Sequence, residues 1–302
     1  MSGPDLGASV RQRLLNKSRT QGRPFQELLQ YFAMERFLYR LSKSAHAERF
    51  VLKGALLLTA WRGPLSRPTM DIDLAGKTSN DLAHIESVIR DVCGVAAPPD
   101  GLEFNPTSIE LVRIKEDAEY EGIRVRFHAT LAKARIPMQI DIGFGDVIVP
   151  EPSEVHYPAL LEFPPPVLNA YPKETVVAEK LEAMTALGLL NSRIKDYYDL
   201  ALLSRVFTFE GQILVTAIRA TFRHRGTPIE PNAVGLSDSF SSDPARGAQW
   251  RAFLRRSRFP EEPGGLPALV SEVRSFAAEL LAAAVTGEPF RDIWSPGGPW
   301  KS

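Results

Sequence analysis

Apolar positions recur at helical spacing from Phe25 through Leu28, Leu29, Phe32, Phe37 and Leu38 to Leu41, which predicts a helix opened by Pro24 and running to about Lys43. Residues 8–18 carry a weaker helical pattern on a basic background. An apolar run at Phe50–Leu52 turns at Lys53-Gly54, passes through a short helix-like segment and a Pro/Gly/Arg-rich loop, and ends in Met70-Asp-Ile-Asp-Leu74. Met70, Ile72 and Leu74 are expected to anchor that last segment in a core as a strand. Residues 80–95 read as a helix with Leu82, Ile85, Val88, Ile89 and Val92 on its apolar side. Strands follow at 109–112, at 123–128 and at 138–144, the second alternating with a period of two. The third follows a turn at 133–137, and a polar connection covers 116–122. This order predicts an α+β fold with a mixed sheet and antiparallel neighbours.

Residues 150–172 are rich in proline and read as a linker whose apolar residues pack. A helix follows from about 173 to 190, and a second, capped by Asn191-Ser192, begins at 193. The remainder reads as helical, with 226–248 as a mobile loop. The expected division is an N-terminal helical segment at 1–48, a sheet domain at 49–165 and a helical C-terminal domain at 166–302.

Composition narrows the class. With 302 residues, 44% hydrophobic and 24% charged, the chain has the makings of an ordinary globular core. The single cysteine, Cys93, permits no internal disulfide and is read as a small buried hydrophobe. With no apolar run near ~18 residues, no membrane span is predicted and a cytoplasmic protein is expected. Lysine and arginine balance the acids, 36 to 36, but locally they do not. Residues 1–49 hold nine Lys/Arg against four acids, and 211–260 hold eight arginines against three, densest at Arg255-Arg256-Ser257-Arg258. Each is either a solvated face or a phosphate-contacting surface. No zinc spacing or Walker motif is present.

The candidate chemistry centres on Asp71 and Asp73. Two residues apart in a strand, they share a face, and adjacent carboxylates there call for a cation such as Mg²⁺. Gly54, at a strand-to-helix turn, lets backbone N–H groups approach an anion. A phosphate cradle followed by DxD describes a nucleotidyl-transfer site. Asp141 lies inside an apolar strand and needs a reason. It is either paired with Arg124 or Arg126, or a third carboxylate brought beside Asp71 and Asp73, and the second reading is the expectation. Lys180 is a snorkelling lysine or a cation aimed at a triphosphate, and Asp196 and Asp199 lie one turn apart on the next helix.

These residues, together with MERFLYRL, FVLKGALLL, RPTMDIDL, QIDIGFGD and EKLEAMTALGLLNSRIKDYYDL, resemble the AbiEii/AbiGii toxin family, which includes the MenT-type toxins. The resemblance covers roughly residues 25–204. It implies a minimal nucleotidyltransferase domain, DNA polymerase β-like, followed by a helical domain. It matches Asp71, Asp73 and Asp141 to metal-binding acids and Lys180 to a lysine on the nucleoside triphosphate (NTP). Asp196 or Asp199 matches a further acidic position. Lys53, Arg67 and Arg193 are secondary phosphate candidates. The family's Gly-Gly or Gly-Ser turn is Gly54-Ala55 here, so phosphate contact there would be through backbone alone. The implied activity is Mg²⁺-dependent nucleotidyl transfer by the toxin of a toxin–antitoxin or phage-defence pair, with a tRNA 3′ end as acceptor and a cognate antitoxin as partner. The alternatives are transfer of a nucleotide or a phosphate to a protein Ser/Thr hydroxyl, such as one on the cognate antitoxin, and a non-catalytic binding module on the same fold.

Overall fold

A seven-stranded mixed sheet in the order β3-β4-β5-β2-β1-β7-β6 organises the first of two units. The computed structural model describes residues 5–61, 68–115, 121–257, 259 and 264–302. Contacts divide it into unit 1, Met1–Asp146 with Ser153–Ala170, and unit 2, Val147–Pro152 with Tyr171–Ser302.

Unit 1 begins with α1 (Leu6–Gln21) and α2 (Phe25–Lys43), then β1 (Phe50–Lys53), the five-residue α3 (Leu56–Ala60), β2 (Ile72–Gly76) and α4 (Leu82–Cys93). Next come β3 (Leu102–Lys115), β4 (Glu121–Leu131), β5 (Ala134–Phe144), β6 (Ser153–His156) and β7 (Val167–Ala170). Asp81 caps α4 by accepting from His84 N at 2.9 Å, and of the predicted apolar face Ile85, Val88, Ile89 and Val92 are buried while Leu82, in the first turn, is half-buried. The antiparallel meander is β3-β4-β5. β2 joins β5 in parallel and β1 antiparallel, and β1 joins β7 in parallel.

Several expectations change. The turn before β5 is only Ala132-Lys133, and Pro137 lies inside the strand. It is tolerated because β2 joins β5 only from Ile140 onward, which among the described residues leaves that half of β5 without a strand on one side. The proline-rich stretch supplies β6 and β7. Met70 is 48% exposed, whereas Ile72 and Leu74 are buried. The 116–120 part of the polar connection lies outside the described residues.

The basic excess of residues 1–49 is partly turned inward. Arg36 and Arg40 on α2 are buried. Arg40 holds Asp100 with two bonds, at 2.8 and 3.2 Å, and Arg36 donates to Pro164 O at 2.8 Å. Glu35 beside them accepts from Leu160 N at 2.6 Å, and burial pushes its carboxyl up to about 7. Cys93 is half-buried and unreactive in character, since burial pushes its thiol up to about 12.

Unit 2 contains α5 (Lys173–Leu187), α6 (Ile194–Val206), β8 (Phe209–Glu210), α7 (Gly211–His224), α8 (Asp238–Ser241), α9 (Pro244–Ser257), α10 (Leu266–Thr286), β9 (Ile293–Trp294) and β10 (Trp300–Lys301). It is not wholly helical: β8, β9 and β10 form a small sheet. Trp294 and Trp300 from that sheet pack on Phe276. Nor is 226–248 an unstructured loop. Ala233, Leu236 and Phe240 are buried, Tyr197 stacks on Phe240, and Tyr197 donates its hydroxyl to Gly235 O at 2.8 Å. A Cβ at Gly235 would sit 2.2 Å from Met184 O, so only glycine lets that segment dock.

Glu35 generates a prediction about pH. Its folded pKa lies above its unfolded one, so its contribution to stability is complete below about pH 4.5 and is lost as pH rises through about 7. Urea denaturation should show wild-type protein losing roughly 1–3 kcal/mol between about pH 5 and about pH 8, a loss that Glu35→Gln removes.

Candidate active site

β2 and β5 run in parallel with Asp73 directly opposite Asp141. On its other side Asp73 faces Lys53 across the antiparallel β1. Asp71 sits just before β2 and is steadied by Thr69, whose hydroxyl donates to Asp71 Oδ1, while Thr69 N donates to the Tyr31 hydroxyl at 3.1 Å. One oxygen from each of Asp71, Asp73 and Asp141 lies within 4.8 Å of the other two. Asp141 is 6% exposed, and the other two acids are half-buried.

Both readings of Asp141 hold at once. It belongs to the carboxylate cluster, and Arg124, its register partner on β4, grips both of its oxygens at 2.8 and 2.7 Å. The hydrogen bond to Asp141, and beyond it the charges of Asp71 and Asp73, raise the Arg124 pKa above its ordinary value. Three carboxylates and one guanidinium leave two negative charges, the complement of one divalent cation. The donor set is all oxygen, and ligand distances of ~2.0–2.6 Å to a hard cation allow oxygens up to about 5 Å apart. The residues therefore fit a divalent metal.

Gly54 has a role that the sequence pattern does not show. Its φ is +75°, and a Cβ there would lie 1.9 Å from Asp73 Oδ2. The bare turn is thus the space into which the Asp73 carboxylate folds. α3 behind it has five residues, too short for much of a helix dipole, and Ala55 begins it as a buried N-cap. Lys53 is buried and ion-paired with Asp146 at 3.0 Å. Asp146 closes the QIDIGFGD segment, and its hint in the sequence is an acid just beyond an apolar strand. Arg67 lies outside the described residues, as does Arg258.

The unit 2 candidates form their own cluster. Lys180 on α5 donates to Asp196 Oδ1 at 2.6 Å and Asp199 Oδ2 at 3.0 Å, both on α6. Arg193 Nε lies 2.8 Å from Asp196 Oδ2, close enough for charge attraction but without hydrogen-bond geometry. Burial would push the Asp196 carboxyl up, but Lys180 and Arg193 together hold it down at about 2. Asn191 rather than Ser192 fixes the start of α6, accepting from Arg193 N at 2.8 Å. Within 211–260, Arg225 pairs with Glu182 at 2.7 Å and Arg219 donates to the last carbonyls of α10, whereas Arg255 and Arg256 stay exposed.

A sequence profile described as nucleotidyl transferase AbiEii toxin, type IV TA system, matches residues 36–282. The chain belongs to the AbiEii family. The AbiEii match spans most of both units and makes the protein a nucleotidyltransferase toxin of a type IV toxin–antitoxin system, which implies an antitoxin partner and a nucleotide substrate. Two Helicobacter pylori crystal structures are similar to this AbiEii chain. One, a protein named as a candidate nucleotidyltransferase, has a TM-score of 0.51 and 17% identity and covers 88% of this chain and 99% of its own. The other, JHP933, has a TM-score of 0.50 and 17% identity and covers 87% and 94% respectively. At that identity the likeness speaks for the fold. No curated protein matches. Among the described residues no helix is long and apolar enough to cross a membrane.

Two predictions follow from the clusters. Arg124→Gln removes a positive charge that competes for Asp141, so calorimetric titration with Mn²⁺ should show affinity tightened by roughly 3–10-fold. Unchanged affinity would show that Arg124 does not compete with a cation. Lys180→Met takes the shared cation from two buried carboxylates and leaves Arg193 beside Asp196, and urea denaturation should register a loss of roughly 3–5 kcal/mol.

Proposed function

We propose that the protein transfers a nucleoside monophosphate from an NTP to an acceptor hydroxyl with Mg²⁺ bound by Asp71, Asp73 and Asp141, and that the acceptor is a tRNA 3′ end. The observation that carries this reading is the convergence of the three carboxylates, Asp73 and Asp141 from two adjacent parallel strands and Asp71 from just before the first. When bound, the cation would neutralise triphosphate charge and stabilise the entering and leaving oxygens.

The side chains divide the remaining work. Asp71, braced by Thr69, and Asp73, seated over Gly54, hold their carboxylates in place before substrate arrives, so little reorganisation is required. Arg124 holds Asp141 in register and reduces its repulsion with Asp73. Once Arg124 releases an oxygen, Asp141 can take the proton of the acceptor hydroxyl. The acceptor's hydroxyl oxygen then bonds to the α-phosphorus, the α–β bridging P–O bond breaks, and pyrophosphate leaves with the electron pair. Lys180, gripped by Asp196 and Asp199, is assigned to phosphate charge, with Lys53 and Arg193 in lesser roles. The exposed Arg255 and Arg256 suit a polyanionic acceptor.

The test incubates the protein with α-labelled NTPs, Mg²⁺ and total tRNA. Label should enter tRNA, and Asp71→Asn should lower transfer by at least ~100-fold. Label appearing on protein instead would assign a Ser/Thr hydroxyl as acceptor. Absence of any transfer would support a non-catalytic module.

A further inference from the structure

Arg124–Asp141 is the first rung of a ladder across the solvent face of β4 and β5. The next rungs are Arg126–Gln139 and His128–Pro137, each about 7 Å from the last. Along β4 the alternation is strict: Val125, Phe127 and Ala129 are buried, whereas Arg126 is exposed and Arg124 and His128 are half-exposed. Arg126 Nε donates to Gln139 Oε1 at 3.3 Å, and Arg135 donates to His128 Nδ1 at 3.1 Å. A hydrogen-bonding track of basic side chains, interrupted by Glu110 opposite Arg126 on β3, therefore leads away from the carboxylates.

Beside this track, where among the described residues β5 has no strand on its Pro137 side, lies a cavity of about 300 Å³. Gln30, Met70, Asp71, Arg126, Pro137 and Gln139 are among its walls. Two of them are anomalous. Met70 is a large apolar side chain left half-exposed directly before Asp71. Gln30 is 1% exposed, and its amide nitrogen donates to Pro137 O at 2.8 Å and Met70 O at 3.3 Å. Its Oε1, however, is buried with no partner among the described residues. A buried acceptor left unmet is costly, and its presence in the wall of a cavity indicates a ligand that donates to it.

We infer that this cavity seats the terminal nucleobase of a single-stranded polynucleotide acceptor. The inference rests on the transfer reading and deepens it. Met70 and Pro137 provide the apolar surface on which a base lies, Arg126 a guanidinium plane, and Gln30 and Gln139 the groups that meet its polar edge. Asp71 belongs both to the cavity wall and to the carboxylate cluster, so a base held here carries its own sugar hydroxyl toward the reacting centre. The arginines and His128 of the ladder then follow the preceding phosphates. A peptide acceptor would have no use for a basic track of this length.

The experiment measures fluorescence anisotropy of the full chain with a 5′-labelled single-stranded RNA hexamer and with the same hexamer made abasic at its 3′ terminus. Wild type should prefer the base-bearing RNA by about ten-fold or more, the scale of one base stack. Met70→Asp places charge where the base would lie at a position already half-exposed, and it should abolish that preference; Arg126→Ala should weaken both RNAs. Equal binding of the two hexamers by wild type, or a preference that survives Met70→Asp, overturns the inference. So does competition by a Ser/Thr peptide in place of RNA. Label transfer to the base-bearing hexamer is followed in parallel. Transfer without base preference removes the base site and leaves the transferase reading intact. Base preference without transfer to any RNA does the reverse.

Discussion

The parallel register of β2 on β5 is the constraint from which the rest follows. It sets Asp73 against Asp141 and places Asp71 one step upstream, so that three like charges crowd a half-buried space. Such an arrangement is unfavourable unless positive charge is supplied. Arg124 supplies part of it from within the chain, and the charge left over equals that of one divalent ion. The surrounding architecture serves this crowding. Apolar Ile72, Leu74, Ile140 and Ile142 bury the opposite face and prevent a register slip, which would turn every acid into the core.

Unit 2 handles like charges by another route. Asp196 and Asp199 are buried, but Lys180 lies against both and Arg193 against Asp196, so positive charge comes from within the chain. Lys180 is thereby fixed by two bonds rather than left on a flexible stem. Its local setting explains why a lysine can stand on the buried side of α5 at all.

Much of this was legible in the sequence because it rested on short-range periodicity. The boundaries of α2 and α4, the alternation of β4, and the placing of Asp141 in a strand next to the DxD all follow from spacing. What escaped depends on contacts between distant residues. Nothing local tells that Arg36 and Arg40 turn inward to Asp100, since the partner is some sixty residues away. Pro137 looked like a turn residue because the open side of β5 is a property of the sheet rather than the strand. The docking of 233–240 depends on a glycine that clears a carbonyl fifty residues earlier. Met70 was grouped with Ile72 and Leu74 by alternation, but the strand starts only at Ile72, so the pattern did not extend to it.

Gly54 carries a genetic consequence. Every amino-acid change at that codon adds at least a Cβ, and the space it would fill already holds the Asp73 carboxylate. In cells deprived of antitoxin and selected for survival, codon 54 should therefore behave as an all-or-none position. Silent changes would be the only ones absent from the survivors, and a collection of suppressors would contain diverse replacements there, not one favoured residue.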